Sequence, residues 1–163
     1  MRAIALACFI AALSPLAADA DDAAPVDLGF LAGEWVIHDA TGETIGWSRI
    51  DEQADNAVLF EIRTIGDKKG QPLWFVNSEA DGDWEQLFLG PTGAVRAFSA
   101  QSQTGAWPMV LGSSVTLADG TPAQFRMTII KADDDHSRRT LEISKDAGAS
   151  WTTIFDYDYR RRK

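Results

Sequence analysis

The chain carries one cysteine in 163 residues. It stands at position 8, inside an apolar N-terminal stretch, so whatever folds beyond residue 20 must do so without a disulfide. Long apolar runs are equally scarce. The longest, Ala3 to Leu13, is about 11 residues, well short of the ~20 that a membrane-spanning helix needs. Nothing downstream approaches that length, which argues against a transmembrane segment. There is no Gly-x-Ser-x-Gly elbow and no glycine-rich phosphate loop, so motif-borne nucleophilic or nucleotide chemistry has no support. Positive charge is also in deficit. Fifteen Lys and Arg face 24 Asp and Glu, a formal net charge of −9. A domain with a pI near 4.6 repels polyphosphate, which excludes nucleic acid as an expected partner. The basic run Arg160 to Lys163 is short and terminal, and reads as a solvated tail.

What is present begins with an export signature. Arg2 gives a positive start, Ala3 to Leu13 an apolar core, and Ser14-Pro15 a break. Ala18-Asp19-Ala20 then sets small residues where a signal peptidase reads them. Residues 1–20 are expected to be a signal peptide cleaved near Ala20, which implies a periplasmic or secreted protein. Arg2 and Asp19 cancel, so cleavage leaves the charge unchanged. Residues 21–28, acidic and alanine-rich, read as a flexible leader. The remainder, 29–163, has the size of one domain with a real core.

From Gly33 onward the side chains alternate between apolar and polar, and turn residues recur every ten to twelve positions or so. Phe125, Met127 and Ile129 alternate with Gln124, Arg126 and Thr128, and Leu141 and Ile143 with Thr140 and Glu142. Val58, Phe60 and Ile62 share a face opposite Glu61 and Arg63. Trp151, Thr153, Phe155, Tyr157 and Tyr159 fall on one parity, Asp156, Asp158 and Arg160 on the other. A period of two puts one set inside and the other in water. Strands are expected near 33–39, 43–51, 57–65, 72–79, 83–89, 93–102, 107–117, 122–131, 138–144 and 150–160. In the fourth, both faces are apolar and the inward parity stays open. Sustained helical periodicity is absent, save a single turn around Leu28 to Ala32. Short connections join neighbours as hairpins, and closure removes the two exposed edges of such a meander. The fold class is therefore all-β: a single antiparallel up-and-down β-barrel of about ten strands.

Phe30-Leu31-Ala32-Gly33-Glu34-Trp35 opens the first strand, and its Gly33-x-Trp35 resembles the start of lipocalins and related calycin barrels. That resemblance implies a tryptophan closing one barrel end against an arginine of the last strand, here Arg160, with Arg161 as the substitute. The mature chain is also similar to a family of exported bacterial proteins of unknown function, with the same Phe-Leu-x-Gly-x-Trp start and a closing hairpin. That hairpin is Ser144-Lys145-Asp146-Ala147-Gly148-Ala149-Ser150-Trp151 here, and it resembles the Asp-box of sialidase propellers. In the box Asp146 bonds backbone amides of its own turn, Gly148 takes positive φ and Trp151 packs beneath, a structural role.

The aromatic load is the most informative functional feature, with six tryptophans and eight phenylalanines. Phe60, Phe75, Phe125, Met127, Phe155 and Tyr157 are the candidate lining of an apolar cavity with a few polar groups at its mouth. The expected partner is a small, mostly apolar ligand, bound without covalent chemistry and without a metal. An alternative is a structural or interaction domain of the cell envelope with a filled barrel, using exposed Trp47, Trp74 or Trp107. A third is an enzyme in the same cavity, although no catalytic residue set stands out. His38 and His136 lack zinc spacing, and Asp133-Asp134-Asp135 reads as a solvated turn rather than a calcium loop. No cofactor is expected. Haem held by His38 or His136, as in the related nitrobindin barrels, is the minor alternative, weakened because Ile37 stands where their start has a second glycine.

Overall fold

A computed structural model describes residues 26–55, 57–77, 83–90, 93–102 and 107–163, and for Lys69 and Ser102 the backbone alone. The expected signal peptide and residues 21–25 of the leader lie outside the described residues. A 3₁₀ turn, Gly29–Leu31, leads into ten strands: β1 (Gly33–His38), β2 (Thr44–Gln53), β3 (Val58–Ile65), β4 (Lys68–Asn77), β5 (Trp84–Leu89), β6 (Val95–Ser102), β7 (Met109–Thr116), β8 (Pro122–Asp133), β9 (His136–Ser144) and β10 (Thr152–Arg161). Each strand pairs antiparallel with its sequence neighbour, and β1 pairs with β10 to close the barrel. Among the described residues no helix is long and apolar enough to cross a membrane.

Period two decides the core. Trp35 and Ile37 from β1, Leu73 and Phe75 from β4, Met109 and Leu111 from β7, and Phe125, Met127 and Ile129 from β8 all point inward. The ambiguous fourth strand thus turns Leu73 and Phe75 in, leaving Trp74 and Val76 on the outside.

Two expectations about faces need correction. On β3 the inward residues are Leu59, Glu61 and Arg63, with Glu61 fully buried. Phe60 therefore lies on the outer face, its ring 5.2 Å from Trp74 of the neighbouring strand. On β10 a register shift between Thr153 and Phe155 breaks the alternation: Thr153 opposes the outward Glu142, Phe155 the inward Leu141. The bulge swings Ile154 out to half exposure and separates Trp151 and Thr153 from the inward set below them.

The two ends of the barrel differ. Residues 26–32 enter at the lower end. Val26 and Leu28 are almost fully buried, because Leu28 and Leu31 fill the lower opening and the Trp84 indole donates to the Val26 carbonyl at 2.7 Å. Trp35 lies on the interior side of this plug, its indole bonded to the Leu31 carbonyl at 2.7 Å. Phe30 meets Trp107 edge-on at 5.2 Å. The upper end carries the β1–β2, β3–β4, β5–β6, β7–β8 and β9–β10 hairpins, with no equivalent plug among the described residues.

Candidate functional site

Between the plug and the upper rim runs a layer of buried polar side chains. Glu61 stands at its centre: one carboxylate oxygen accepts from Arg139 of β9 at 2.5 Å, the other from Ser48 of β2 at 2.7 Å. Tyr159 of β10 donates to Glu61 at 3.5 Å and accepts from Arg63 at 3.3 Å. Burial pushes the Glu61 carboxyl up, and the pull of Arg139 and Arg63 with the Ser48 hydrogen bond outweighs it, leaving the group below its ordinary range. Arg139 rests its guanidinium 4.2 Å above the Tyr159 ring. Arg139 is 1% exposed and Arg63 6%.

The charges in this layer do not balance. Two guanidinium groups, which stay protonated, face one carboxylate, a net of one positive charge. Arg139 takes the carboxylate. Arg63 has the Tyr159 hydroxyl and the flanks of Phe155 and Tyr157, with its charge 5.8 and 6.0 Å from those ring centres. Donors exceed acceptors as well: Arg63 Nε, Arg139 Nε and Arg139 Nη2 are buried without partners. Buried donors are nearly always paired in folded proteins, by protein groups or by ordered water.

Above Arg63 lies an internal cavity of about 80 Å³. Leu73, Phe88, Phe98, Met127, Leu141 and Phe155 form its apolar wall, and Arg63, Gln86 and Arg96 its polar corners. Gln86 is 1% exposed and its amide oxygen has no partner. Arg96 leans over the Phe125 ring at 4.2 Å. Of the six candidate lining residues, Met127 and Phe155 border this cavity. Tyr157 stacks on Phe155 at 4.3 Å. Phe125 is packed edge-on against Phe98 at 6.4 Å, Phe75 is fully buried beside Arg139, and Phe60 is outside.

The wall next to this cavity is open. The β6–β7 ladder runs only from Ser99 to Ser102, against Val110 to Gly112. Above Ser99, Val95–Phe98 pairs with β5 alone and Ser113–Thr116 with β8 alone. A groove of about 630 Å³ occupies the split, lined by Ala94 to Ala97 on one side and Ser113 to Thr116 on the other. Phe88 and Arg96 border both groove and cavity, so the two lie on either side of these residues.

At the start of β1 it is Arg161, the substitute, rather than Arg160 that packs on Trp35. Arg161 lays its charge 4.4 Å from the Trp35 ring and donates to the carbonyls of Ala32 (2.8 Å), Phe30 and Asp134 (2.7 Å each). Arg160 points outward and pairs with Asp158. Gly33 is needed because its φ is +128° and a Cβ there would sit 2.5 Å from the Arg161 guanidinium. In the closing hairpin, Asp146 accepts from the Ser150 amide (2.9 Å) and hydroxyl and from Ser144 (2.7 Å). Gly148 has φ +91°. Trp151 sits on the outside of the barrel under Arg126, at 4.3 Å.

His38 and His136 both belong to outward-facing positions, remote from the interior. His136 bonds Asp158 beside the Arg138–Asp156 pair, in an open outer groove. Among the described residues no group of His, Cys, Asp and Glu is arranged to hold a metal ion.

Sequence reasoning missed Arg63, Arg96, Gln86 and Arg139. One signal was there to read. Leu141 and Ile143 share their parity with Arg139 and Ser137, so continuing that inward face backward buries an arginine that requires an acid. No protein-family model matches the chain, and no curated protein is similar to it. The closed ten-stranded antiparallel barrel is consistent with a lipocalin-like fold.

Proposed function

We propose that this is an exported, periplasmic barrel of lipocalin-like type that binds a small, mostly apolar ligand non-covalently. The observation that carries the reading is an apolar interior cavity lying next to the β6–β7 split, with Phe88 and Arg96 bordering both. An enclosed apolar space with an entrance and few polar corners is what ligand pockets share. Binding would draw on desolvation of the ligand against Phe98, Met127, Leu141 and Phe155, in a wall largely formed beforehand. The test is mass spectrometry of small molecules released from the protein purified out of its native envelope. A reproducible apolar compound is the expected result, and repeated recovery of none would overturn the reading.

A second reading, an interaction domain of the envelope, draws on the outer face. Phe60 and Trp74 pack there in a tilted pair on adjacent strands, and Trp47 is 47% exposed on β2. Changing Trp74 and Phe60 together to serine would abolish partner capture under that reading and leave small-molecule recovery untouched.

A further inference from the structure

The inner cavity is small. At about 80 Å³ it is roughly half the ~150 Å³ that encloses one benzene ring in an engineered protein core. A whole apolar ligand does not fit inside it. A head of a few heavy atoms does, with the rest of the molecule lying in the groove of about 630 Å³ between Val95 and Val115. The ligand is thus divided by the site itself into an inner head and an outer body.

The surroundings fix the chemistry of the head. Arg63 is 6% exposed, contacts no carboxylate and holds an unpartnered Nε–H. Arg96 borders the same cavity and enters no ion pair among the described residues. Buried charge is strongly unfavourable, and Arg63 reaches the Glu61 carboxylate only through the Tyr159 hydroxyl, so its guanidinium would attract an anion entering this cavity. The asymmetry is sharper because the chain as a whole is at −9 while this cavity is lined by two cations and no acid. A neutral apolar head would leave both guanidinium groups facing it.

We propose that the ligand is an amphiphile with a compact, carboxylate-sized anionic head, seated between Arg63 and Arg96, and an apolar body that leaves through the β6–β7 split. The inference rests on the ligand-binding reading above and names the class that reading leaves open. Arg63 is the deep anchor and Arg96 the rim contact, so Arg63 sets most of the discrimination for charge.

The experiment compares octanoate with octan-1-ol by titration calorimetry on the purified protein. The two probes share a body length and differ in head charge. Octanoate is expected to bind at least on the order of tenfold more tightly, the scale of one charge-assisted hydrogen bond. Arg63→Gln should erase the difference and Arg96→Gln reduce it. Equal affinity for both probes in the native protein would overturn the anionic head while leaving the apolar pocket standing; binding of neither would sink both. If Arg63→Gln does not fold, the wild-type comparison and Arg96→Gln still decide the matter. An Arg63→Gln protein that folds and keeps the octanoate preference would overturn the role of Arg63.

Discussion

The lower and upper halves of this barrel are built from the same ten strands, yet they answer the problem of a hollow interior in opposite ways. Below the Glu61 layer, the space is filled by Leu28, Leu31, Trp35 and Tyr159, all at or below 1% exposed, and the indoles of Trp35 and Trp84 are bonded to backbone carbonyls. Above it, side chains stop short of filling the barrel, two guanidinium groups border an empty space and one wall seam is unpaired. The lower half is arranged for stability. The upper half accepts an open ladder and a cavity bordered by charge, features that lower stability.

Six substitutions, grouped in four tests, sharpen or break that contrast. The largest effect is expected at the boundary itself. Glu61→Ala would leave Arg139 buried beside Arg63 with no carboxylate, and should lower unfolding free energy by about 3–5 kcal/mol in a denaturant titration. A loss under about 1 kcal/mol would mean that the layer is not dry. Next come two leucines of equal size. Leu31→Ala in the plug should cost about 2–5 kcal/mol, and Leu141→Ala distinctly less, because Leu141 is only partly buried and loses fewer contacts. Equal losses would erase the proposed difference in packing between the halves.

The two arginines of β10 give a smaller but cleaner pair. Arg161→Gln removes three carbonyl contacts and the Trp35 stack, and is expected to destabilise by about 1.5–3 kcal/mol. Arg160→Gln on the outside should stay within about 0.5 kcal/mol. The smallest effect belongs to the upper rim. Hydrogen bonds from the Ser150 side chain and amide and from Ser144 lower the Asp146 pKa from 3.8 to about 2. A carboxyl depressed by folding contributes stability that is full above its unfolded value and lost as pH falls through its folded one. Asp146→Asn should therefore lower the melting temperature slightly at neutral pH. The gap to the native protein should narrow below pH 3.8 and close near pH 2. A gap that persists at pH 2 would show that the hairpin needs the side-chain shape rather than its charge.

Alternation was legible because it is local: Phe125, Met127 and Ile129 declare a face within five positions, and the hairpin turns declare themselves through Gly, Asp and Pro. That is why all ten strands fall close to their expected places. The face of β3 was not legible. Val58, Phe60 and Ile62 outweigh Leu59, Glu61 and Arg63 in apolar content, yet the polar set faces inward. Its partners Arg139 and Tyr159 lie 78 and 98 residues from Glu61, where no window along the chain reaches them.

By itself, then, the amino-acid order settled the strand count, the hairpin rhythm and the need for an enclosed core without disulfides, since each follows from side-chain period and turn chemistry. Which arginine locks the first strand, which residues plug the lower end, and where an unpaired cation meets an empty space were decided only in three dimensions. A charge is admitted to a barrel interior by what stands opposite it, and that is fixed when β3, β9 and β10 come round to face one another.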